Sequence, residues 1–229
     1  MAVWDSFLTE DDKKILALRK RRVPHGPGSK VALLVIDMQN TAIGYDKPIW
    51  EQLEDFHGAC GPHAYKAIPV QQELLSAARA AGVPVIYSKH IFHASSGLSA
   101  SDPSNNFSAA NPKSDIPASL AMQAGDILVE KQTPSCFAQT NLPIILASLG
   151  VDGLLVAGNS TSGCVRATCV DGEAFGYKMS VIEEAVFDRI ELSHAAALFD
   201  MQFKICDVIS ARRALEVLGP ARSGSAKAA

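Results

Sequence analysis

The sequence predicts an α/β protein built on a six-stranded, mainly parallel sheet with helices on both faces. Apolar runs of strand length alternate with segments of helical spacing along most of the 229 residues. This alternation is typical of βαβ units, in which a helix connects one parallel strand to the next. The first run, residues 31–36, is apolar throughout, as expected of a strand buried on both faces.

The individual elements follow from apolar periodicity and from the residues that end each segment. Gly82 and Gly150 each follow a predicted helix, where glycine is a favoured C-terminal cap. A shorter helix over residues 10–21 is expected to begin after the N-cap Thr9. Strands are predicted at residues 31–36, 83–87, 126–129, 153–157, 178–182 and 205–209, and longer helices at 70–81, 141–149, 164–175 and 193–203.

The chain is expected to form a single main domain with two flanking segments. Residues 1–29 are interpreted as a helical arm and linker, residues 30–218 as the domain, and residues 219–229 as a disordered tail. Residues 91–125 lack periodicity and are rich in Ser, Asn, Ala and Pro. A stretch of this length inside a compact domain favours a functional loop or lid.

Composition narrows the class of protein. Hydrophobic residues make up 48% and charged residues 20%, which is typical of a globular chain. The net charge of -3 gives no basic surface for nucleic acid. The apolar runs are too short to span a membrane, and the first residues lack a secretory signal, so a cytosolic location is expected. The five cysteines form no CxxC pair and are predicted to be free thiols.

Three chemically active residues follow predicted strands. Asp37 comes after the first strand, Lys131 after the third and Cys164 after the fourth. Taken singly, they have ordinary explanations as a turn residue, a surface charge and a buried small side chain. However, ligands bind outside the carboxyl ends of the strands in an open parallel sheet. The three residues together therefore predict a catalytic site.

The chemistry expected of this site is nucleophilic. Cys164 is predicted at a helix N-terminus near the Lys131 cation, so we expect its pKa to lie below the usual value of about 8.5. Asp37 would carry a proton between the thiol, a leaving amine and water. The small, polar loop over residues 158–163 would offer backbone amides as an oxyanion hole.

Three motifs carry a resemblance to a known family: Leu33-Leu-Val-Ile-Asp-Met-Gln39, Glu130-Lys131 followed by Ser135-Cys136-Phe137, and Gly158-Asn-Ser-Thr-Ser-Gly-Cys-Val-Arg-Ala-Thr168. They resemble the isochorismatase-like cysteine hydrolases, over about residues 30–210. The resemblance implies a three-layer αβα sandwich and a catalytic triad of Asp37, Lys131 and Cys164. It also implies a cis peptide at Asn159–Ser160, with the amides of Ser160 and Cys164 as oxyanion donors.

Within this family, the resemblance favours amide hydrolysis, because the isochorismatases proper lack the nucleophilic cysteine. The stretch from Phe187 to Val208 is similar to the subgroup of N-carbamoylsarcosine and maleamate amidohydrolases. In that subgroup an arginine binds the substrate carboxylate, and Arg189 matches it; the alternative is an ion pair with Asp188, Glu191 or another acid. Asn159 and Thr161 are further substrate-binding candidates.

A metal is not expected. Nicotinamidases of this family carry an Asp-x-His metal motif, whereas this chain has Tyr87-Ser-Lys-His-Ile-Phe-His93. His90 and His93 offer possible ligands, but on an irregular segment we interpret them as loop residues. No cofactor is expected either.

The sequence thus predicts an amidohydrolase that releases ammonia from a small carbamoyl or primary amide bearing a carboxylate. Alternatives are a nicotinamidase-like hydrolase of aromatic amides and a non-catalytic, thiol-sensing member of the fold. A flavodoxin-like nucleotide binder is disfavoured, because no GxGxxG or P-loop follows the first strand. Family members imply a homo-oligomer, a dimer or a tetramer. Trp50, Phe56, Phe92 and Phe107 are candidate pocket walls.

Overall fold

Six parallel strands form the central sheet within residues 2–20, 22–92 and 107–219, which are the residues that the computed structural model describes. The strand order is β3-β2-β1-β4-β5-β6, and every neighbouring pair is parallel. The predicted six-stranded parallel sheet is therefore confirmed. The strands are β1 (Val31–Ile36), β2 (Val85–His90), β3 (Ile127–Lys131), β4 (Gly153–Asn159), β5 (Lys178–Phe187) and β6 (Asp207–Ile209).

Helices cover both faces of this sheet. Two of them are continuous with π-helical turns, Thr161–Val165 before the helix that begins at Arg166 and Met201–Ile205 after the helix that ends at Asp200. The helices in the described ranges are α1 (Glu10–Leu18), α2 (Asn40–Ile43), α3 (Pro62–Ala81), α4 (Leu142–Leu149), α5 (Arg166–Ala174), α6 (Glu191–Asp200) and α7 (Ala211–Leu218).

Alternate residues of β1 point into opposite layers. Leu34 and Ile36 pack into one core with apolar side chains of α4, α5 and α6. Leu33 and Val35 pack into the other core with side chains of α3 and α7. All four side chains are 0% exposed, which explains why the strand is apolar at successive positions. The molecule is thus a three-layer αβα sandwich.

Several strands extend beyond their predicted ends. β2 continues to His90, β3 to Lys131, β4 to Asn159 and β5 to Phe187. An apolar run ends where polar residues begin, yet those polar residues still form ladder hydrogen bonds. For this reason the polar side chains that line the sheet edge are the last residues of strands and share the rigidity of the sheet.

Some predicted helices differ from those observed. α3 begins at Pro62 rather than near residue 70, and it contains Pro69. The helix predicted over residues 164–175 is a π-helical turn followed by α5, so Cys164 lies in the turn. α7 and the short α2 were not predicted, although the polar Ser210 caps α7 as expected of an N-cap residue.

The N-terminal segment contacts the domain. Thr9 caps α1 through a capping box with Asp12, which confirms the predicted helix start, although α1 ends at Leu18. Arg22 forms an ion pair with Asp207 of β6. The division at residues 29 and 218 remains a prediction, and the predicted tail beyond residue 219 falls outside the described residues.

The predicted lid is described in part. Residues 107–125 include two short 3-10 helices, Pro112–Ser114 and Ala118–Leu120, whereas residues 93–106 lie outside the described ranges. Gln39 joins this segment to the sheet edge, because its side-chain amide donates to the carbonyl oxygen of Ser114 at 2.8 Å. No helix in the described part of the chain is long and apolar enough to cross a lipid bilayer.

Candidate active site

The carboxyl edge of the sheet brings the three predicted catalytic residues together. Asp37 directly follows β1, Lys131 ends β3, and Cys164 lies in the turn after β4. Lys131 Nζ is 2.6 Å from Asp37 Oδ2, and the two side chains are only 0% and 5% exposed. The Sγ atom of the half-buried Cys164 lies within 4.8 Å of a carboxylate oxygen of Asp37. This arrangement supports the triad, whose catalytic roles remain predictions.

Asp37 is held by neighbours on both adjacent strands. The Ser88 hydroxyl of β2 donates to Asp37 Oδ1 at 2.6 Å, and the Asn159 side chain of β4 donates to the Asp37 carbonyl oxygen at 2.7 Å. The backbone of Asp37 is in the left-handed region, with φ 49°, which is uncommon for a residue other than glycine. These bonds fix both the backbone and the carboxylate of Asp37. Ser88 was not anticipated from the sequence.

The charge state of the nucleophile differs from the prediction. Burial and the Asp37 carboxylate raise the pKa of the Cys164 thiol, and the Lys131 cation does not offset them. For Lys131, burial acts to lower the pKa, but the Asp37 carboxylate together with the neighbouring Cys164 and Cys136 outweighs burial and the pKa is raised. The predicted low pKa of Cys164 is therefore wrong: its surroundings raise the pKa and favour the neutral thiol beside the Asp37–Lys131 pair.

The turn that carries Cys164, Thr161–Val165, closes on the carbonyl oxygen of Ser160. That oxygen accepts hydrogen bonds from the amides of Gly163 and Val165, at 3.0 and 3.1 Å. Gly163 is suited to this turn, because a Cβ atom there would lie 2.6 Å from Ser160 Oγ. The Asn159–Ser160 peptide is cis, as predicted. The role of the Ser160 and Cys164 amides as oxyanion donors stays a prediction.

Gly158 explains how close β4 comes to β1. Its φ is +110°, and a Cβ atom at this position would lie 2.1 Å from the carbonyl oxygen of Ile36. The register of β4 with β1 is unbroken up to the pair of Gly158 with Ile36, whereas the pairing of β4 with β5 is irregular between Val156 and Gly158. Because only glycine tolerates the contact with Ile36, β4 stays beside β1 to this point, and Asn159 follows next to the backbone of Asp37.

The side chains of Asn159 and Thr161 form hydrogen bonds within the protein. Asn159 is 4% exposed and donates to Asp37, as described above. Thr161 is 0% exposed, and its Oγ1 lies 2.8 Å from Nδ1 of His194 in α6. Direct substrate contacts by these two side chains remain a prediction.

Arg189 follows β5 and is exposed. Its Nη2 donates to the carbonyl oxygen of Gly58 at 2.9 Å, and its backbone amide donates to Asp188 Oδ1 at 2.8 Å. Among the described residues, the Arg189 guanidinium forms no ion pair with an acidic side chain. The alternative of an ion pair with Asp188 or Glu191 is therefore not observed. The guanidinium instead donates to a backbone carbonyl oxygen, which the carboxylate of a bound substrate would replace as the acceptor.

His90 belongs to the site, which corrects its interpretation as a loop residue. It ends β2, and its amide donates to Gln39 Oε1 at 2.8 Å. Side-chain ligand atoms of His90, Asp37 and Cys164 all lie within 4.8 Å of one another. The sequence did not reveal this position because the predicted second strand ended at residue 87, whereas β2 continues to His90. His93 lies outside the described residues.

An aromatic cluster adjoins His90. The rings of Phe92 and Phe107 lie 4.6 and 5.3 Å from the His90 ring, centroid to centroid. These two predicted wall residues therefore lie near the nucleophile. In contrast, Phe56 is buried against Tyr45, with ring centroids 4.9 Å apart, and Trp50 is 78% exposed.

Asp37, His90 and Cys164 are also the types of residue that bind transition metals. However, the Lys131 ammonium is 2.6 Å from the carboxylate and would repel a cation there. The donor set therefore fits a metal poorly. The absence of a metal remains a prediction.

A thiol, a carboxylate and an ammonium thus meet at the carboxyl edge of an αβα sandwich, the arrangement expected for an isochorismatase-like cysteine hydrolase. Residues 31–213 match the model of the Isochorismatase domain. The chain belongs to the isochorismatase family. The predicted family and the predicted fold are thereby confirmed, and the flavodoxin-like alternative is not supported.

Named relatives cover most of the chain. It is 32% identical over 201 residues to maleamate amidohydrolase of Pseudomonas putida, covering 84% of this chain and 89% of that protein. It is 30% identical over 208 residues to N-carbamoylsarcosine amidase of an Arthrobacter species, covering 87% and 74%. A cysteine hydrolase from Pseudomonas syringae superposes with a TM-score of 0.74 at 22% identity, over 87% of this chain and 100% of that chain, and supports the fold. The prediction that the chain is a hydrolase of the isochorismatase family is confirmed, and its named relatives include amidohydrolases.

Proposed function

We propose that this enzyme hydrolyses a small carbamoyl or primary amide bearing a carboxylate, and that it releases ammonia through a covalent intermediate on Cys164. The observation that carries the proposal is the cluster in which Cys164 Sγ lies within 4.8 Å of an Asp37 carboxylate oxygen and the buried Asp37 pairs with Lys131. Relatives named for maleamate and N-carbamoylsarcosine support the substrate class.

The first step follows from the neutral thiol. As Cys164 Sγ attacks the carbonyl carbon, its proton moves to the Asp37 carboxylate, an oxygen of which lies within 4.8 Å of Sγ. A C–S bond forms, and the carbonyl oxygen becomes an oxyanion. The amides of Ser160 and Cys164 would donate to this oxyanion. Lys131 stays charged and keeps a positive charge beside the reacting atoms.

The second step uses the proton that Asp37 has received. Asp37 transfers it to the amide nitrogen as the C–N bond breaks, and ammonia leaves. The acyl group remains on Cys164 as a thioester. A water molecule then attacks the thioester carbonyl and gives a proton to Asp37. Cleavage of the C–S bond releases the acid, and the thiolate recovers that proton from Asp37. No cofactor is needed for this sequence.

Arg189 is the proposed carboxylate-binding residue. Its guanidinium is exposed, and Nη2 donates a hydrogen bond to the Gly58 carbonyl oxygen. A substrate carboxylate would form two parallel charge-assisted hydrogen bonds with it, which are stronger than this single neutral contact. Thr161 and Asn159 are the other two proposed substrate-binding residues. Thr161 belongs to the turn that carries Cys164, and Asn159 donates a hydrogen bond to the backbone of Asp37.

An aromatic amide is the second candidate substrate. The observation in its favour is the ring cluster of His90, Phe92 and Phe107, because His90 lies beside Cys164. A planar ring on the acyl group would pack against these rings edge to face or with an offset. This arrangement would correspond to a nicotinamidase-like hydrolase.

The test is ammonia release from N-carbamoylsarcosine, maleamate, other carbamoyl amino acids and nicotinamide, with wild type and Cys164→Ala. We expect turnover of a carboxylate-bearing amide that is lost in Cys164→Ala, and no change on adding a chelator. Turnover of nicotinamide alone would favour the second candidate. Turnover that persists in Cys164→Ala would refute the nucleophile, and alkylation of Cys164 without any turnover would favour a thiol sensor.

Two broader expectations complete the proposal. We expect a cytosolic enzyme that acts without nucleic acid or membrane partners. We also expect assembly into a dimer or a tetramer, which sedimentation velocity on the full chain measures directly.

A further inference from the structure

A buried carboxylate outside the catalytic triad holds the turn Thr161–Val165. Asp188, the first residue after β5, is 5% exposed. Its Oδ2 accepts hydrogen bonds from the amide and the hydroxyl of Ser162, at 2.9 and 2.6 Å. Charge-assisted bonds of this kind are about twice as strong as neutral ones. The turn that carries Cys164 is thus attached to the end of β5.

The same carboxylate also holds the backbone of the proposed substrate-binding arginine. Asp188 Oδ1 accepts a hydrogen bond from the amide of Arg189 at 2.8 Å. One oxygen of Asp188 therefore contacts the nucleophile turn, and the other contacts residue 189. No catalytic step described above uses Asp188.

We propose that Asp188 is a positioning residue that sets the distance between Cys164 and Arg189, and with it the size of carboxylate-bearing amide that the site accepts. This inference rests on the proposed function, because it assigns Arg189 to the substrate carboxylate. Both contacts come from one short, buried side chain, which therefore links the turn of Cys164 to the backbone of Arg189.

His194 provides a comparison within the same turn. It contacts Thr161 Oγ1 at 2.8 Å from α6. Burial lowers the pKa of His194, so the imidazole is neutral at this contact. His194 therefore supports the turn as Asp188 does, but no described hydrogen bond joins it to Arg189. Loss of His194 should disturb the nucleophile without changing carboxylate selection.

The experiment compares alkylation of Cys164 by iodoacetate, which carries a carboxylate, and by neutral iodoacetamide. It is run on the full-length wild type, Arg189→Met, Asp188→Asn and His194→Ala, with Cys164→Ala as background. The ratio of the two rates measures carboxylate selection at the nucleophile, and it needs no knowledge of the natural substrate.

We expect the iodoacetate-to-iodoacetamide ratio to fall by about tenfold in Arg189→Met, because a charge-assisted pair is lost. It should fall by at least about fivefold in Asp188→Asn, because small misplacements of reacting groups are costly. His194→Ala should lower both rates and keep the ratio. Removing a negative charge near the site without a positioning effect would raise the ratio, so the sign of the change separates the two explanations.

A fall in Arg189→Met without a fall in Asp188→Asn would overturn the positioning role alone. A wild-type ratio unaffected by Arg189→Met would instead refute carboxylate binding by Arg189, and the inference with it. If Asp188→Asn does not fold, Ser162→Ala decides: it loses one bond to Asp188 and should shift the ratio downward by a smaller factor. No shift in that variant would also count against the proposal.

Discussion

The reaction centre and the recognition region of this enzyme are built differently. The proposed reaction centre, which consists of Asp37, Lys131 and Cys164, places a half-buried thiol beside two charged side chains that are only 5% and 0% exposed. The recognition region, which we define as Arg189, Phe92 and Phe107, is formed by residues that follow strands and by the segment beyond them. The charges proposed to act in catalysis thus lie at low dielectric on strand ends, whereas the residues proposed to select the substrate lie beyond the strands.

The largest effect on activity and stability is expected when the buried charge of Lys131 is removed. Lys131→Met should abolish ammonia release and should lower the free energy of unfolding by about 3–5 kcal/mol, because the Asp37 charge is left buried and unpaired. The matched control is Lys13→Met on α1. Its pair with Glu10 has a similar length, 2.7 Å, but its side chains are 50% and 81% exposed.

Urea unfolding and ammonia release measure both variants. Lys13→Met should leave the unfolding free energy almost unchanged, as is usual for exposed ion pairs. Equal losses of stability in the two variants would remove the distinction between a buried reaction centre and an exposed surface.

A smaller and more selective effect is expected in the recognition region. Arg189→Met should raise KM for carboxylate-bearing amides by roughly 10–100-fold, because two hydrogen bonds to a charged group are lost. The kcat value and the unfolding free energy should change little, since the guanidinium is exposed. Steady-state kinetics with a neutral amide of similar size is the control. A similar loss on both substrates would contradict the assignment.

The smallest effect is expected for the support of Asp37. Ser88→Ala removes the 2.6 Å hydrogen bond to Asp37 Oδ1 but leaves the ion pair with Lys131. A typical hydrogen bond contributes about 1 kcal/mol, so kcat should fall by about fivefold. KM should be unchanged, because Ser88 is fully buried behind the carboxylate. A change in KM alone would place Ser88 in the recognition region instead.

The same contrast explains what the sequence could predict. The apolar run of residues 31–36 and the polar residues after each strand predicted the sheet and the triad, because burial and strand direction act locally. Ser88 was missed because a single serine in a buried strand carries no pattern of its own. The sign of the Cys164 pKa shift was missed because it depends on three-dimensional distances between the thiol and two opposite charges.

Asp188, His194 and His90 were missed or misassigned for a different reason. Asp188 and His194 act on the turn through contacts between residues 26 and 33 positions apart. His90 was misassigned because the end of β2 is polar and does not resemble a strand. Periodicity reports which face of an element is buried, but it does not report which loops meet at the edge of a sheet.

The central claim is that Asp37 takes the proton from a neutral Cys164 thiol. The most direct test is the rate of Cys164 alkylation by iodoacetamide as a function of pH, in wild type and Asp37→Asn, with the Cys164→Ala background subtracted. Thiolate reacts and thiol does not, so a raised pKa predicts a wild-type rate that still increases above pH of about 8.5. Asp37→Asn removes the negative charge that raises this pKa, and it should shift the profile to lower pH while abolishing turnover. A wild-type plateau well below that pH, or a shift to higher pH in Asp37→Asn, would contradict the account and indicate a resting thiolate.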